Sequence, residues 1–183
     1  MKKVILILLT LATIVFANEC RYDAKTLHVT WEAYKTPLKI GVGGTFDNIS
    51  IKAADTKSEK SFLKTSTVII DTSSINSKNK GRDAKLVKYF FAVQGVKNIT
   101  AKVVSLSDKI INIDITMNGV TKNIPMKLNT SDKIEAQGYI DLADFNMLPS
   151  LAGINKACFS KHKGKTWQDV TIKFELQTHK NCK

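Results

Sequence analysis

The chain has 183 residues, 43% of them hydrophobic, with 28 Lys and Arg against 16 Asp and Glu and three cysteines. That length suits one domain with a true core and predicts no second one. The net charge of +12 invites a nucleic-acid partner. However, only Arg21 and Arg82 are arginines and aromatics do not alternate with the lysines, so no nucleic acid is expected. A solvated lysine surface is the plain reading, and attraction to an anionic membrane surface or a phosphorylated ligand is its functional form.

Met1-Lys2-Lys3 is a basic start, Val4 to Phe16 is an apolar run, and Val15-Phe16-Ala17 ends it with residues a signal peptidase reads. The run falls short of the roughly 20 residues of a membrane-spanning helix. Residues 1–17 are therefore predicted to be a cleaved secretory signal and 18–183 an exported, periplasmic domain. Cys20 is a weak lipid-attachment site, because Asn18 and Glu19 precede it where small residues are needed.

Strand patterns fill most of the remaining chain. Leu27 to Ala33 alternates, and Gly41 to Ile51 is a glycine-rich strand pair with Val42, Phe46, Ile49 and Ile51 as its apolar members. Thr65 to Asp71 is a β-branched run. Asn76 to Phe91 breaks the pattern: Asn76 or Asn79 caps a short helix that offers Ala84, Val87, Tyr89, Phe90 and Phe91 for packing and keeps Lys80, Lys85 and Lys88 wet. Ala101 to Leu106 resumes the strands.

Ile111 to Met126 reads as a β-hairpin residue by residue. Asn118-Gly119 tolerates the positive φ angles of a type I′ turn. Met117 then faces Val120, Ile115 faces Lys122, Ile113 faces Ile124 and Ile111 faces Met126, so one face is apolar apart from Lys122. Asn112, Asp114, Thr116, Thr121 and Asn123 make the wet face, and Pro125 falls opposite Asn112 where no ladder bond is needed. Ile134 to Leu142 and Val170 to Leu176 alternate again, with a loop expected between them.

About eight half-buried strands close more naturally than they stack, because closure removes the sheet edges. The fold expected is all-β: a closed, antiparallel, roughly eight-stranded barrel with one short helix. In such a meander the first and last strands are neighbours, which places Cys20 beside Cys182 and leaves Cys158 as a spare thiol. Cys20 with Cys158 stays open if the loop before the last strand folds toward the amino terminus.

The chain offers His28, His162 and His179 as histidine bases but no nucleophile elbow, so no catalytic residue is assigned and the protein is not expected to be an enzyme. Cys158, His162, His179 and Cys182 have the chemistry for zinc. The strand between the two halves holds them about 33 Å apart, so no metal is expected. Arg82 offers a forked donor to a phosphate or quinone carbonyl, or else ties the helix to a neighbouring loop with Asp83.

Three segments carry a resemblance. Ser74-Ile75-Asn76 through Gly81-Arg82-Asp83-Ala84-Lys85-Leu86, then Asn118-Gly119-Val120-Thr121-Lys122, then Gly138 to Asp144-Phe145-Asn146-Met147 resemble, in order, the landmarks of the YceI-like family. That family consists of exported lipocalin-like barrels that bind polyisoprenoids. The resemblance spans about Tyr22 to Leu176. The chain departs from it at Asp23-Ala24-Lys25-Thr26, after Phe91, and at Ser150 to Lys165, which replaces the family's loop after the third landmark.

The resemblance implies a carrier for a long isoprenoid lipid, of polyprenyl or isoprenoid-quinone type, held in a hydrophobic tunnel without a cofactor. The competing class is a stress or interaction protein whose barrel is filled by its own side chains. Shared phase on neighbouring strands, together with the implied ligand, assigns the tunnel lining to Val29, Trp31, Phe46, Ile113, Ile115, Ile140, Ile172 and Phe174. Arg82 and Lys122 are the candidates for the polar head. Composition leaves a homodimer open.

Overall fold

The computed structural model describes residues 24–55 and 57–177. Ten strands form one antiparallel sheet: β1 (His28–Lys35), β2 (Ile40–Phe46), β3 (Ile49–Lys52), β4 (Thr67–Asp71), β5 (Ile75–Asn76), β6 (Asn98–Leu106), β7 (Ile110–Met117), β8 (Val120–Asn129), β9 (Ile134–Asp141) and β10 (Thr166–Leu176). Their spatial order is β3-β4-β6-β7-β8-β9-β10-β1-β2-β5, and the sheet curls around the core. The helices are α1 (Glu59–Thr65), α2 (Lys80–Leu86), α3 (Leu148–Ala157) and α4 (Phe159–His162).

Ten strands stand where about eight were expected: the strand pair read in Gly41 to Ile51 is β2 and β3, which do not pair with each other but run in line, and the Thr65 to Asp71 strand is prolonged past a break. β3 continues β2 after Asp47-Asn48, and β5 continues β4 after a 3-10 turn, Thr72–Ser74. Asp71 stabilises that turn by accepting from the Ser73 amide at 2.9 Å and the Ser73 hydroxyl at 2.7 Å. The two breaks face each other. The Asp47 amide donates to the Ser74 carbonyl at 3.0 Å and the Asp71 amide to the Asn48 carbonyl at 3.1 Å, so hydrogen bonds run on past both interruptions.

The hairpin has the register its sequence dictates, from Met117 opposite Val120 to Ile111 opposite Met126, with Pro125 opposite Asn112. Asn118 and Gly119 take φ of 52° and 73°, the left-handed pair that the turn requires. Along β7 every second residue from Ile111 to Met117 is buried.

The helix expected within Asn76 to Phe91 begins at Lys80, where Asn79 caps it by accepting from the Arg82 amide at 2.9 Å. It then widens into a π-helical turn, Val87–Phe91. One helix was too few. Ser58 caps α1 by accepting from the Ser61 amide at 3.1 Å, and only Phe62 and Leu63 of α1 are buried, too short an apolar signal to stand out.

The loop expected over Ser150 to Lys165 is instead α3 and α4, with Pro149 in the first turn of α3, where its missing N–H costs nothing. α3 lies close on the π turn because Gly153 has no side chain. A Cβ there would stand 2.5 Å from the Tyr89 carbonyl oxygen.

The pairing places the ends of β1, β7 and β9 and the starts of β2, β8 and β10 at one end of the sheet. α2, the π turn, α3 and α4 cover that end. At the other end α1 packs beside β6 with Leu27, Ile111, Ile134 and Leu176. The expected leader, Cys20, His179 and Cys182 lie outside the described residues, and with them the expected disulfide.

Candidate functional site: an apolar cavity with a basic mouth

The inward faces of the strands do not meet. They enclose a cavity of about 520 Å³ at the helix-covered end. Val29 and Trp31 of β1, Phe46 of β2, Ile115 of β7, Ile140 of β9, and Ile172 and Phe174 of β10 all line it, as the alternation predicts. Ile113 does not. Two residues further down β7 from Ile115, it borders a separate pocket of about 50 Å³ beside α1. Phe174 and Ala101 line both spaces and form the partition between them.

The helices supply wall residues that strand periodicity could not reveal. Leu86, Phe90 and Phe91 come from α2 and the π turn, Leu151 and Ile154 from α3. Phe90 and Phe91 pack edge to face with centroids 5.0 Å apart, and Phe91 lies 6.4 Å from Phe46. The sequence signal for α3 was Pro149 followed by Leu151 and Ile154 at helical spacing.

Polar residues concentrate where the cavity meets solvent, between α2 and α4. Lys35, Asn79, Arg82, Lys85, Lys161 and His162 line that mouth, and among the described residues no carboxylate lines the cavity. The mouth is therefore an apolar space under a positive rim. Arg82 belongs to it, but its Nε donates to the Ser77 hydroxyl at 2.7 Å and its Nη2 to the Ser77 carbonyl at 2.6 Å. Asp83 accepts from the Ser77 amide at 2.9 Å and from the Ser77 hydroxyl. The Arg82-Asp83 pair thus ties α2 to the end of β5 while keeping the guanidinium at the opening.

Lys122 sits elsewhere. Its ammonium is 3.9 Å from Asp144 on the outside of the molecule and does not reach the cavity. That ion pair joins the hairpin to the segment before α3. There the Asn118 amide also donates to the Phe145 carbonyl at 3.1 Å, and Gln94 donates to the Asn146 carbonyl at 2.9 Å.

His162 is half-buried at the mouth. Burial, reinforced by the charges of Lys35 and Lys85, pushes its pKa below the ordinary 6.5, which keeps the ring neutral. Its Nδ1 lies 2.7 Å from the Thr166 hydroxyl, which donates its proton to Asn155 Oδ1 at 3.0 Å. Nδ1 must therefore be the donor, leaving Nε2 as an acceptor. Cys158, in no disulfide among the described residues, shares the cavity wall. His28 is exposed on β1.

A curled antiparallel sheet around an apolar cavity with a helical cover and a basic mouth has the architecture of a small-molecule binding site. The model of the YceI-like domain matches residues 21–178, and the chain belongs to this family. It resembles the solved structure of a polyisoprenoid-binding domain from Saccharophagus degradans implicated in plant cell wall breakdown. The TM-score is 0.61 at 18% identity, covering 86% of this chain and 96% of that one. A mutant Campylobacter jejuni YceI protein holding a monobromobimane guest gives a TM-score of 0.51 at 21% identity, covering 76% of this chain and 86% of that one. No curated protein matches the chain.

Proposed function

We propose that this protein is a non-enzymatic, periplasmic binding or carrier protein for an isoprenoid lipid. The tail lies in the cavity along Trp31, Phe46, Ile115, Ile172 and Phe174, and the polar head lies at the mouth near Arg82. The observation that carries this reading is the cavity itself. A self-filled barrel packs to crystal-like density with few voids larger than a water, whereas here the side chains, mostly apolar away from the mouth, enclose about 520 Å³. Moving a tail from water into such a space gains about 25 cal/mol per Å² of apolar area.

The bonds that continue past the paired breaks in β2–β3 and β4–β5 support reading the sheet as a closed barrel, with no free edge beside the cavity. The polyisoprenoid ligand of the Saccharophagus degradans domain supports the lipid class.

Gentle purification from the native compartment followed by mass spectrometry of the lipid extract tests the proposal. An isoprenoid at near-stoichiometric amount is the expected result. A wild-type protein that carries no lipid and takes up none from detergent would return the reading to an interaction protein with an unoccupied interior.

A further inference from the structure

The rim of the mouth carries exposed side chains that the cavity does not use. Leu38 at the tip of the β1–β2 turn is 80% exposed, Ile40 at the start of β2 is 50% exposed, and Phe159 at the start of α4 is 64% exposed. They belong to one assembly. The Thr36 amide donates to the Lys165 carbonyl at 2.9 Å, which binds the β1–β2 turn to the residues after α4. Phe159 lies over Gly164, next to Lys165.

Lys35 and Lys39 belong to the same turn as Leu38 and Ile40, and Lys161, Lys163 and Lys165 follow closely on Phe159. Two of the lysines lie over aromatic rings: Lys39 Nζ is 5.1 Å from the centroids of both Tyr34 and Trp167, and Lys165 Nζ is 4.6 Å from that of Trp167. Asp169 offsets one charge by pairing with Lys39 at 2.7 Å. Glu32, which accepts from the Tyr34 hydroxyl at 3.1 Å, and Asp141, opposite Asp169 in the β9–β10 ladder, are further acids nearby.

We propose that this rim docks the protein on an anionic lipid bilayer, with Leu38, Ile40 and Phe159 entering the headgroup region and the lysines meeting the phosphates. Tryptophan, tyrosine and lysine beside exposed aliphatic tips is the composition of a membrane interface. Each basic residue brought to an anionic surface contributes roughly a fivefold gain in affinity. Three isolated apolar tips are too small a patch for a stable protein interface, which needs roughly 800 Å² on each partner. The surface also sits where it is useful. A tail leaving the bilayer beside the rim enters the cavity without crossing water, so the purpose of the rim rests on the carrier reading, although its geometry does not.

Co-sedimentation of the signal-free protein with vesicles tests the inference. Binding is expected to vesicles of phosphatidylcholine mixed with phosphatidylglycerol, not to phosphatidylcholine alone, and to weaken as salt screens the lysines. Leu38→Asp and Phe159→Asp should each lower it about tenfold with an unchanged melting temperature. Val104→Asp, at a site 56% exposed near the end of β6, at the α1 end of the sheet, should leave it intact.

Wild-type protein that ignores anionic vesicles, or a Val104→Asp loss equal to the other two, overturns the docking face. So does a concentration-dependent dimer that Phe159→Asp dissolves, since the rim would then be a contact between two copies. Uptake of geranylgeraniol from detergent is measured separately: uptake without vesicle binding overturns only the docking face, and vesicle binding without uptake overturns only the carrier reading.

Discussion

His162 is the titratable group at the mouth with a consequence for pH. Its pKa in the fold lies below the ordinary 6.5, first through burial and then through Lys35 and Lys85, so the unfolded chain takes up a proton where the folded chain resists it. Its contribution to stability is therefore fully present above 6.5 and is lost as pH falls through that value toward the depressed one. Thermal melting followed from neutral pH downward should show a falling midpoint across this window, and His162→Gln should flatten that part of the curve. An equal slope in the variant would assign the effect to other groups.

A second residue-scale contrast comes from neighbours on one strand. Ile115 faces the large cavity and Ile113 the small pocket beside α1, so the same substitution acts differently at each. Ile115→Phe fills empty space and should cut lipid loading severalfold at nearly constant stability. Ile113→Phe overpacks a tight region, for which about 1 to 3 kcal/mol of lost stability is expected. Urea titration and lipid content of the two variants separate these outcomes; a reversed order would mean that the cavity lies elsewhere along the barrel.

At the scale of elements, the strands and α2 were legible and α1, α3 and α4 were not. Period-two alternation fixed the Ile111 to Met126 register and the inward phase of β1, β9 and β10, because one buried face leaves no freedom to slip by a residue. The splits in β2–β3 and β4–β5 depend on hydrogen bonds between segments far apart in sequence, which no local pattern carries. α3 hid because its buried members, Ser150 and Ile154, include a polar residue and because Gly153 reads as a helix breaker rather than as a point of close approach. Lys122 was misplaced at the mouth because its partner, Asp144, lies on a distant segment.

Gly153 also yields a prediction for its element. Gly153→Ala must move α3 off the Tyr89 carbonyl and should destabilise by about 1 to 3 kcal/mol. Leu151 and Ile154 sit on the same helix and line the cavity, so lipid content should fall with it. Chemical denaturation combined with lipid quantification checks both effects, and a variant of full stability would show that the helix contact is not close-packed.

At the scale of the molecule, the two ends of the sheet do different work. The α1 end is packed around a pocket of about 50 Å³, and the helix-covered end holds the cavity, its basic mouth and the lysine rim. On the carrier reading, the partition between them limits the length of tail that the cavity can take. At the roughly 30 Å³ that one water-sized group occupies, about 520 Å³ admits some 17 heavy atoms, between three and four isoprene units. Phe174 and Ala101 close the far side, and of these only Phe174 can be shortened appreciably.

Phe174→Ala should therefore join the small pocket to the cavity and shift the preferred ligand toward a longer chain. Competition among isoprenoid alcohols of graded length, read by native mass spectrometry, is the measurement. Wild type should favour the shorter members and Phe174→Ala the longer ones. Removing a ring that already faces empty space should cost less than the roughly 3 to 5 kcal/mol of a fully buried Phe→Ala change, and Phe174→Leu serves if that loss proves too large. If both variants keep the wild-type preference, the length limit is set at the mouth and the partition is only a packing contact.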